Sequence, residues 1–349
     1  MTASLELSGR GTYRLRNVIS LLWSSLYVSL RRLIRGPHLP NWNWALEVTT
    51  HFLRTQSRIA FDMPHIVEGR EYQDALIFHS PAVVRLRIEP VAGPPRGHWY
   101  LPPPERRVAT ALYLHGGGYA YHARAHRNLI ALVAWAAKAG TFALDYRLIP
   151  EHPFPAQLDD ALAAYEWLLA SGVDPRRLLL AGDSAGGNLV LSLLLSLRDR
   201  KLPLPALSLC ICPWTDLTNS GANMRANEDH DWVEKRMADR WARWLCQGRD
   251  PRDPLLSPVM ADLRGLPPVY VQAGSAEILY DMICAFVQRA QEQGCPILLD
   301  VWKHMPHDFQ AYGDVLPQSQ EALARIEQIV DACVRRKPDD IAYPFQSQP

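Results

Sequence analysis

The hydrophobic pattern of the chain changes at about residue 82. From there onward, short apolar runs bounded by turn residues alternate with longer segments whose apolar residues recur at helical spacing. The short runs predict buried strands, and the longer segments predict helices. Strands are predicted at residues 83–88, 98–101, 109–114, 141–145, 177–181, 207–211, 269–273 and 297–302. Helices are predicted at residues 125–138, 156–170, 188–198, 282–293 and 318–335. This alternation predicts an α/β fold with a mostly parallel central sheet and helices on both of its faces.

An amphipathic helix is predicted near the N terminus, where seven apolar residues line one helical face between flanking arginines: Leu15, Val18, Ile19, Leu22, Leu26, Leu30 and Leu33. The uncharged stretch of residues 18–30 is shorter than a membrane-spanning helix requires. Arg31-Arg32 follows it, where a cleaved signal peptide would carry small residues. Two interpretations of residues 14–35 remain open: a cap helix packed on the rest of the protein, or a helix lying on an anionic membrane surface.

Composition and charge narrow the class of protein. The chain has 349 residues, of which 48% are hydrophobic and 21% charged, enough for one large core. Its net charge is +1, but residues 1–60 carry eight arginines against Glu6 and Glu47 and are therefore +6, leaving −5 for the remainder. No lysine-rich run or aromatic-basic repeat is present, so we expect no nucleic-acid partner. The six cysteines are scattered without metal-ligand spacing, so we expect reduced thiols, no metal and a cytoplasmic location, with peripheral membrane association under the second interpretation above.

Two glycine-rich motifs carry the candidate chemistry. Gly182-Asp183-Ser184-Ala185-Gly186-Gly187 follows an apolar run and precedes a helical pattern, which is the context of a nucleophile elbow. The second motif, His115-Gly116-Gly117-Gly118, follows another predicted strand. Glycines let backbone N–H groups approach a developing oxyanion, and we expect Gly116, Gly117 and Ala185 to supply these donors. Together the two motifs indicate acyl transfer by Ser184.

Such a serine requires an acid and a histidine later in the chain, in the order Ser, Asp or Glu, His. The loop after the strand at 269–273 offers Glu277 and Asp281 as the acid. The loop after the strand at 297–302 offers His304 and His307 as the base. Loop position alone leaves both choices open.

Four ordered motifs resemble those of the hormone-sensitive-lipase-like esterases, the bacterial type IV branch of the α/β-hydrolases. They are the two glycine motifs, the run of residues 145–156 that begins Asp145-Tyr146-Arg147, and His307-Asp308-Phe309. The resemblance covers about residues 80–335. It implies hydrolysis of small carboxylic esters without a metal or organic cofactor. It also implies that Glu277, the first acid of an acid-x-Leu-x-Asp pattern, is the catalytic acid, although many relatives carry aspartate there, and that His307 is the base.

The resemblance also divides the chain. We expect an N-terminal cap segment over residues 1–80, an α/β-hydrolase catalytic domain over 81–335 and a C-terminal tail over 336–349. Residues 213–267 interrupt the strand–helix alternation with a polar, tryptophan-bearing segment, which we interpret as a cap insertion. A final strand at the sheet edge offers a route to a homodimer.

The sequence therefore predicts a serine carboxylic-ester hydrolase acting on short- to medium-chain esters through an acyl-enzyme. Two alternatives remain open: an amidase or deacetylase with the same triad, and a non-catalytic small-molecule receptor on the same fold. Tyr119, Tyr121 and Trp214 follow strand ends, where open α/β sheets place ligands, and are predicted to line the substrate pocket. Residues 145–147 and Glu151 are predicted to form a buried polar network below the oxyanion loop.

Overall fold

The computed structural model describes residues 4–122 and 126–335, and in these ranges an eight-stranded mixed sheet forms the centre of the fold. In chain order, the strands are β1 (Ser4–Leu7), β2 (Leu76–His79), β3 (Arg87–Val91), β4 (Gly97–Leu101), β5 (Ala109–Leu114), β6 (Ala139–Leu144), β7 (Leu178–Asp183), β8 (Leu207–Ile211), β9 (Val269–Gly274) and β10 (Ile297–Trp302). Strands β1 and β2 form a separate antiparallel ribbon. The others follow the order β10-β9-β8-β7-β5-β6-β4-β3, with β3, β4 and β6 paired antiparallel and all other pairs parallel.

Helices surround this sheet. They are α1 (Gly11–Arg35), α2 (Trp44–Phe61), α3 (Ile66–Gln73), α4 (Pro81–Val84), α5 (His126–Ala136), α6 (Ala156–Ala170), α7 (Ala185–Asp199), α8 (Asn223–Ala226), α9 (Lys235–Cys246), α10 (Tyr280–Glu292) and α11 (Pro317–Arg335). Single 3₁₀ segments occur at Pro104–Arg106, Pro175–Arg177, Glu228–His230, Pro258–Met260 and Phe309–Val315. Apolar residues of α5 and α11 pack on one face of the sheet, and those of α6, α7 and α10 pack on the other. The predicted α/β fold, with a mostly parallel sheet covered on both faces, is confirmed.

The central strands are buried on both faces, which explains their continuous apolar sequences. Every residue of β6, β7, β8 and β9 is buried. Strands covered by helices on both faces need apolar residues at each position, whereas apolar and polar residues alternate along the strands of a sheet with one solvent-exposed face. Because β5, β7, β8, β9 and β10 pair in parallel, their carboxyl ends lie along one edge of the sheet, where the candidate chemistry lies.

The first predicted hairpin exists, but its first strand begins later than predicted. Residues 83–88 were expected to be extended, whereas the chain forms the short helix α4 and enters β3 at Arg87. Pro81 begins this helix, and the fixed φ of proline favours a first helical position. The backbone N–H of Val83 donates to Ser80 O at 3.2 Å and closes a turn. The alternation of apolar and polar side chains over residues 83–88 had predicted an extended strand there instead. Strand β3 then pairs with β4 in the register Arg87↔Leu101 to Val91↔Gly97.

Helices α1, α2 and α3 and the β1–β2 ribbon form the N-terminal segment, and only α1 was recognised from the sequence. Helix α2 begins at Asn43, whose side chain accepts a hydrogen bond from Leu46 N and so caps the helix. Its buried residues include Phe52, Gln56 and Ser57, which face the candidate site. Residues 213–267 contribute α8 and α9, and the Trp241 ring of α9 contacts the Phe61 ring at the end of α2. The predicted tail at 336–349 lies outside the described residues.

Candidate active site

Ser184 sits at the turn between β7 and α7. Its φ of 53° and ψ of −119° lie in a region that side chains rarely adopt, as a sharp strand-to-helix turn requires. The Ser184 N–H donates to Ile211 O at 2.9 Å and holds the turn. The backbone at Gly186 approaches Leu114 so closely that a Cβ on residue 186 would lie 1.9 Å from Leu114 O. Only glycine fits there. The turn thus presents Ser184 at the wall of a cavity, as predicted for an elbow.

The glycine loop after β5 packs directly against this turn. A Cβ on Gly116 would lie 2.1 Å from Asp183 Oδ2, and Gly117 has a φ of 93° that favours glycine. Within residues 4–122 and 126–335, the backbone N–H groups of Gly116, Gly117 and Ala185 donate no hydrogen bond to the protein. Three unused N–H groups beside Ser184 can therefore serve an oxyanion. Their assignment as an oxyanion hole stays a prediction.

Two tyrosines hold the loop and the turn in place. Tyr146 OH donates to His115 O at 2.6 Å, and the two rings stack with centroids 4.2 Å apart. Tyr113 OH donates to Asp183 Oδ1 at 2.7 Å. Asp183 is thus engaged in shaping the turn.

Glu277 and His307 form a buried pair. His307 Nδ1 lies 2.7 Å from Glu277 Oε2, and the second carboxylate oxygen accepts the N–H of Gly274 at 2.9 Å. His307 is 1% exposed and Glu277 is fully buried, so the pair is shielded from competing water. A carboxylate held in this way orients the imidazole and stabilises its protonated form.

The two competing candidates lie elsewhere. His304 points towards Asn41, with Nδ1 and Oδ1 3.0 Å apart, and its backbone N–H donates to Ser275 Oγ. Asp281 lies in the first turn of α10 and accepts the N–H groups of Asn223 and Met282. A carboxylate there is favourable because helix N termini carry partial positive charge. The structure therefore brings together Glu277 and His307, and not Asp281 or His304.

The insertion supplies groups near His307 that the sequence interpretation missed. Asp231 is fully buried; its carboxylate accepts Ile278 N at 2.8 Å and Trp232 N at 2.7 Å. Trp232 Nε1 donates to His307 O at 2.9 Å. Burial raises the pKa of Asp231 to about 6. These contacts tie the acid and histidine loops to the insertion, and no motif in the sequence marks them.

Asp308 is a second carboxyl group at the histidine, on the side opposite Glu277. Its Oδ2 lies 3.4 Å from His307 Nε2, the side chain lines the cavity beside Ser184, and Oδ1 has no hydrogen-bond partner among the described residues. Burial lowers the pKa of His307, but the charges of Asp308, Glu277 and Asp231 and the hydrogen bond to Glu277 outweigh this and hold it above its ordinary value. Burial raises the pKa of Asp308 well above its ordinary value, whereas the positive charge of protonated His307 lowers it, so the two groups titrate as a coupled pair.

Asp308→Asn is expected to move the acidic limb of the kcat/KM profile to lower pH. His307 must be neutral to accept a proton, so activity falls as pH drops below its pKa. Removing the Asp308 charge lowers that pKa, and asparagine tolerates the φ of 51° at this position. The measurement is kcat/KM against pH for a soluble ester. Asp314→Asn is the matched control, because Asp314 lines the same cavity; an unchanged limb in Asp308→Asn would contradict the assignment.

A cavity of about 460 Å³ opens above Ser184. Helix α2 contributes Thr49, Phe52 and Leu53 to its wall, and the insertion contributes Val233 and Trp241. Helix α2 and residues 213–267 therefore both enclose the space beside the serine. The mainly apolar wall favours an uncharged organic ligand.

Of the three aromatic residues predicted to line the pocket, the structure places only Tyr121 on the cavity wall. Tyr119 is 2% exposed and donates its OH to Asn188 Oδ1 at 2.6 Å. Trp214 is also 2% exposed, and its Nε1 donates to Asn219 Oδ1 at 2.9 Å. These hydrogen bonds hold both side chains in the core. The prediction that Tyr119 and Trp214 line the substrate pocket is therefore wrong.

The predicted polar network below the loop is also smaller than expected. Tyr146 supports the loop, but Arg147 pairs with Asp160 and Glu151 pairs with Arg70, both in partly exposed positions. Exposed ion pairs of this kind contribute little stability. Arg147 and Glu151 therefore belong to surface ion pairs and not to a buried network.

Among the described residues, one buried trio has ligand atoms close enough to hold a metal: Cys212, Glu277 and His307. Two of its members already bond to each other. Burial, with the charges of Glu277 and Asp308, raises the pKa of the Cys212 thiol well above its ordinary value, which disfavours the thiolate that a metal prefers. The Cys212 thiol therefore makes this trio a poor set of metal ligands.

Known proteins are similar to this chain in sequence and in fold. Residues 111–311 match the family of the α/β-hydrolase fold. An acetyl-hydrolase of Streptomyces hygroscopicus is 44% identical over 220 residues, which cover 61% of this chain and 72% of that protein. The putative acetyl-hydrolase LipR of Mycobacterium tuberculosis is 35% identical over 251 residues, covering 70% and 80%. Among solved structures, an esterase from the bacterial hormone-sensitive lipase family is similar with a TM-score of 0.70 and 33% identity, covering 94% of this chain and all of that one.

Proposed function

This chain belongs to the α/β-hydrolase family, in its branch of bacterial hormone-sensitive-lipase-like esterases, and from that premise we propose that Ser184, His307 and Glu277 hydrolyse short- to medium-chain carboxylic esters. Ester hydrolysis is the activity that the relatives' names state. The observation that carries the residue assignment is the buried 2.7 Å contact between His307 Nδ1 and Glu277 Oε2, next to a cavity that Ser184 lines.

The reaction proceeds in two halves. Ser184 Oγ attacks the ester carbonyl while His307 Nε2 takes the hydroxyl proton, and the N–H groups of Gly116, Gly117 and Ala185 stabilise the oxyanion. His307 then protonates the leaving alkoxide, which departs as the alcohol and leaves an acyl-enzyme. Water, deprotonated by His307, attacks the acyl-serine; His307 then returns the proton to Ser184 Oγ as the C–O bond breaks and the carboxylic acid leaves. Glu277 stabilises the imidazolium in both halves.

Cavity size supports the acyl range. A volume of about 460 Å³ lies within the range of ordinary small-ligand sites, and its apolar wall suits an alkyl chain. Two relatives are named for removing acetyl groups. Short to medium acyl chains therefore fit both the enclosed space and the relatives.

The test is a series of p-nitrophenyl esters from acetate to palmitate, with a matched p-nitroanilide. We expect kcat/KM to be highest among the short and medium esters and to fall at least tenfold for palmitate, since each misplaced methylene forfeits part of the binding energy. The acetanilide is expected to react more slowly than the acetate. A faster anilide would support an amidase instead, and inactivity towards every ester would support a receptor.

We further propose that β10 pairs two copies of the chain. It ends the strand order of the main sheet and, within the described residues, hydrogen-bonds to β9 alone. An unpaired strand edge is a template for pairing with another chain. Light scattering after size exclusion should give the mass of two chains at micromolar concentration, and a single-chain mass at every concentration would contradict the proposal.

A further inference from the structure

Helix α1 buries its polar residues and exposes its apolar ones, which is the reverse of an ordinary amphipathic helix. Its buried residues are mainly polar and include Asn17, Ser20 and Ser24, with Val28 as the apolar exception. Its large apolar residues face solvent, with exposures from 44% to 83%: Leu15, Ile19, Leu22, Trp23, Leu26, Tyr27, Leu30, Leu33 and Ile34. Globular proteins normally bury such a face, and large exposed apolar patches mark interaction sites.

Specific polar contacts fix this orientation. Asn17 Nδ2 donates to Tyr72 O at 3.1 Å, and Gln56 Nε2 donates to Asn17 Oδ1 at 2.7 Å. Ser24 Oγ lies 2.8 Å from His51 Nδ1. Rotating the helix to bury its leucines would break these bonds and leave their buried partners unsatisfied. The outward apolar face is therefore built into the packing of α1 on α2 and α3.

The exposed face forms two adjacent stripes. Residues 15, 19, 22 and 26 follow one row at helical spacing, and residues 23, 27, 30 and 34 follow the next. A 25-residue helix is about 37 Å long, so these stripes make a long, continuous apolar strip. Among the described residues, no helix combines the length and apolarity needed to cross a bilayer. A strip of this kind suits a helix that lies in the plane of an interface.

The positive charge of α1 favours an anionic membrane surface as its partner. Helix α1 contains no acidic residue and carries Arg14 and Arg16 near its start and Arg35 at its end. These three are exposed and have no ion-pair partner among the described residues. Pairing two α1 helices in either direction would bring arginines together without a compensating carboxylate. An anionic lipid surface instead attracts them, while Trp23 and Tyr27 belong to the residue types that favour the membrane interface.

We propose that α1 docks the protein on anionic membrane surfaces as an in-plane helix, with its apolar strip in the headgroup region. The docking does not depend on the esterase assignment. It would, however, hold the candidate site close to the lipid, because α2 packs against α1 on one side and lines the cavity with Thr49, Phe52 and Leu53 on the other. Gln56 belongs to both contacts, since it bonds to Asn17 and lines the cavity.

The experiment is co-sedimentation of the full chain with vesicles of phosphatidylcholine, with or without about 30% phosphatidylglycerol. We expect at least about tenfold stronger binding to the anionic vesicles, weakening as NaCl rises from about 0.05 M to about 0.5 M, because salt screens exposed charges. The double variant Leu22→Glu/Leu26→Glu should lose at least about tenfold of this affinity. Arg14→Gln/Arg35→Gln should lose the preference for anionic vesicles.

The matched control is Val67→Glu/Val84→Glu, which places the same charges on exposed valines outside α1. It should bind vesicles like the unaltered chain. Hydrolysis of a soluble ester without vesicles should stay within about twofold for all variants, because the changed side chains do not line the cavity. Equal binding by Leu22→Glu/Leu26→Glu and its control would overturn the proposal. So would a lipid-free dimer that only this variant disrupts, since a second copy would then cover the face.

Discussion

Ser184→Ala is expected to reduce kcat for p-nitrophenyl acetate by about 10⁴- to 10⁶-fold, with little change in stability. Alanine removes the only atom that forms the acyl bond, and the residual rate would come from the oxyanion donors and substrate binding. The turn itself depends on the backbone contact to Ile211 O and the close approach at Gly186, which the substitution leaves intact. Steady-state kinetics, with thermal unfolding measured alongside, checks both parts.

Ser220→Ala is the control for this substitution. Ser220 is exposed, contacts Thr218 and Asp216, and lies outside the cavity wall. Its kcat should stay within about twofold of the unaltered chain, as for most surface substitutions. If Ser184→Ala retained more than about 1% of activity in protein free of the parent enzyme, another group would have to be the nucleophile.

Glu277→Gln is expected to lower kcat by about 10⁴-fold. Glu277 uses both carboxylate oxygens as acceptors, one for Gly274 N–H and one for His307 Nδ1. Glutamine keeps the shape but replaces one acceptor by an NH₂ donor. If that donor faces His307, it selects the tautomer whose proton sits on Nε2, which cannot accept the serine proton. If it faces Gly274, two donors oppose each other in a buried site.

Asp281→Asn provides the comparison that separates the two acids. Asp281 accepts backbone N–H groups at the start of α10, so its loss should affect stability slightly and kcat by less than about threefold. Equal losses in kcat would show that the loop conformation, rather than the Glu277 carboxylate, limits the rate. A large loss in Asp281→Asn alone would reverse the assignment.

Local patterns were sufficient to predict the parts of the site that depend on one turn. The Ser184 elbow and the Gly116-Gly117 loop each require small residues at fixed positions after a strand. A short sequence motif is therefore enough to predict their local geometry. The pairing of Glu277 with His307 needed more. It depends on β9 and β10 being neighbours in the sheet. The positions of the two loops left two acids and two histidines as candidates, and the family resemblance selected Glu277 and His307.

Features that depend on packing between distant segments escaped prediction. Asp231 accepts the backbone N–H of Ile278, 47 positions later, and so holds the loop that carries Glu277, a contact that no motif records. Tyr119 and Trp214 follow strand ends as pocket residues would, but Asn188 and Asn219 draw their polar atoms inward. For α1, periodicity showed an apolar face but not its direction. That direction follows from polar partners such as Gln56 on α2.

The central claim is that hydrolysis passes through a covalent intermediate on Ser184, assisted by the Glu277–His307 pair. The most direct measurement is inactivation by a p-nitrophenyl phosphonate, followed by intact mass and peptide mapping. We expect one adduct per chain, located on Ser184, with activity lost in proportion to labelling and with labelling slowed in Glu277→Gln as much as ester turnover. An adduct on any other residue, or full labelling of Ser184 with activity retained, would contradict the mechanism.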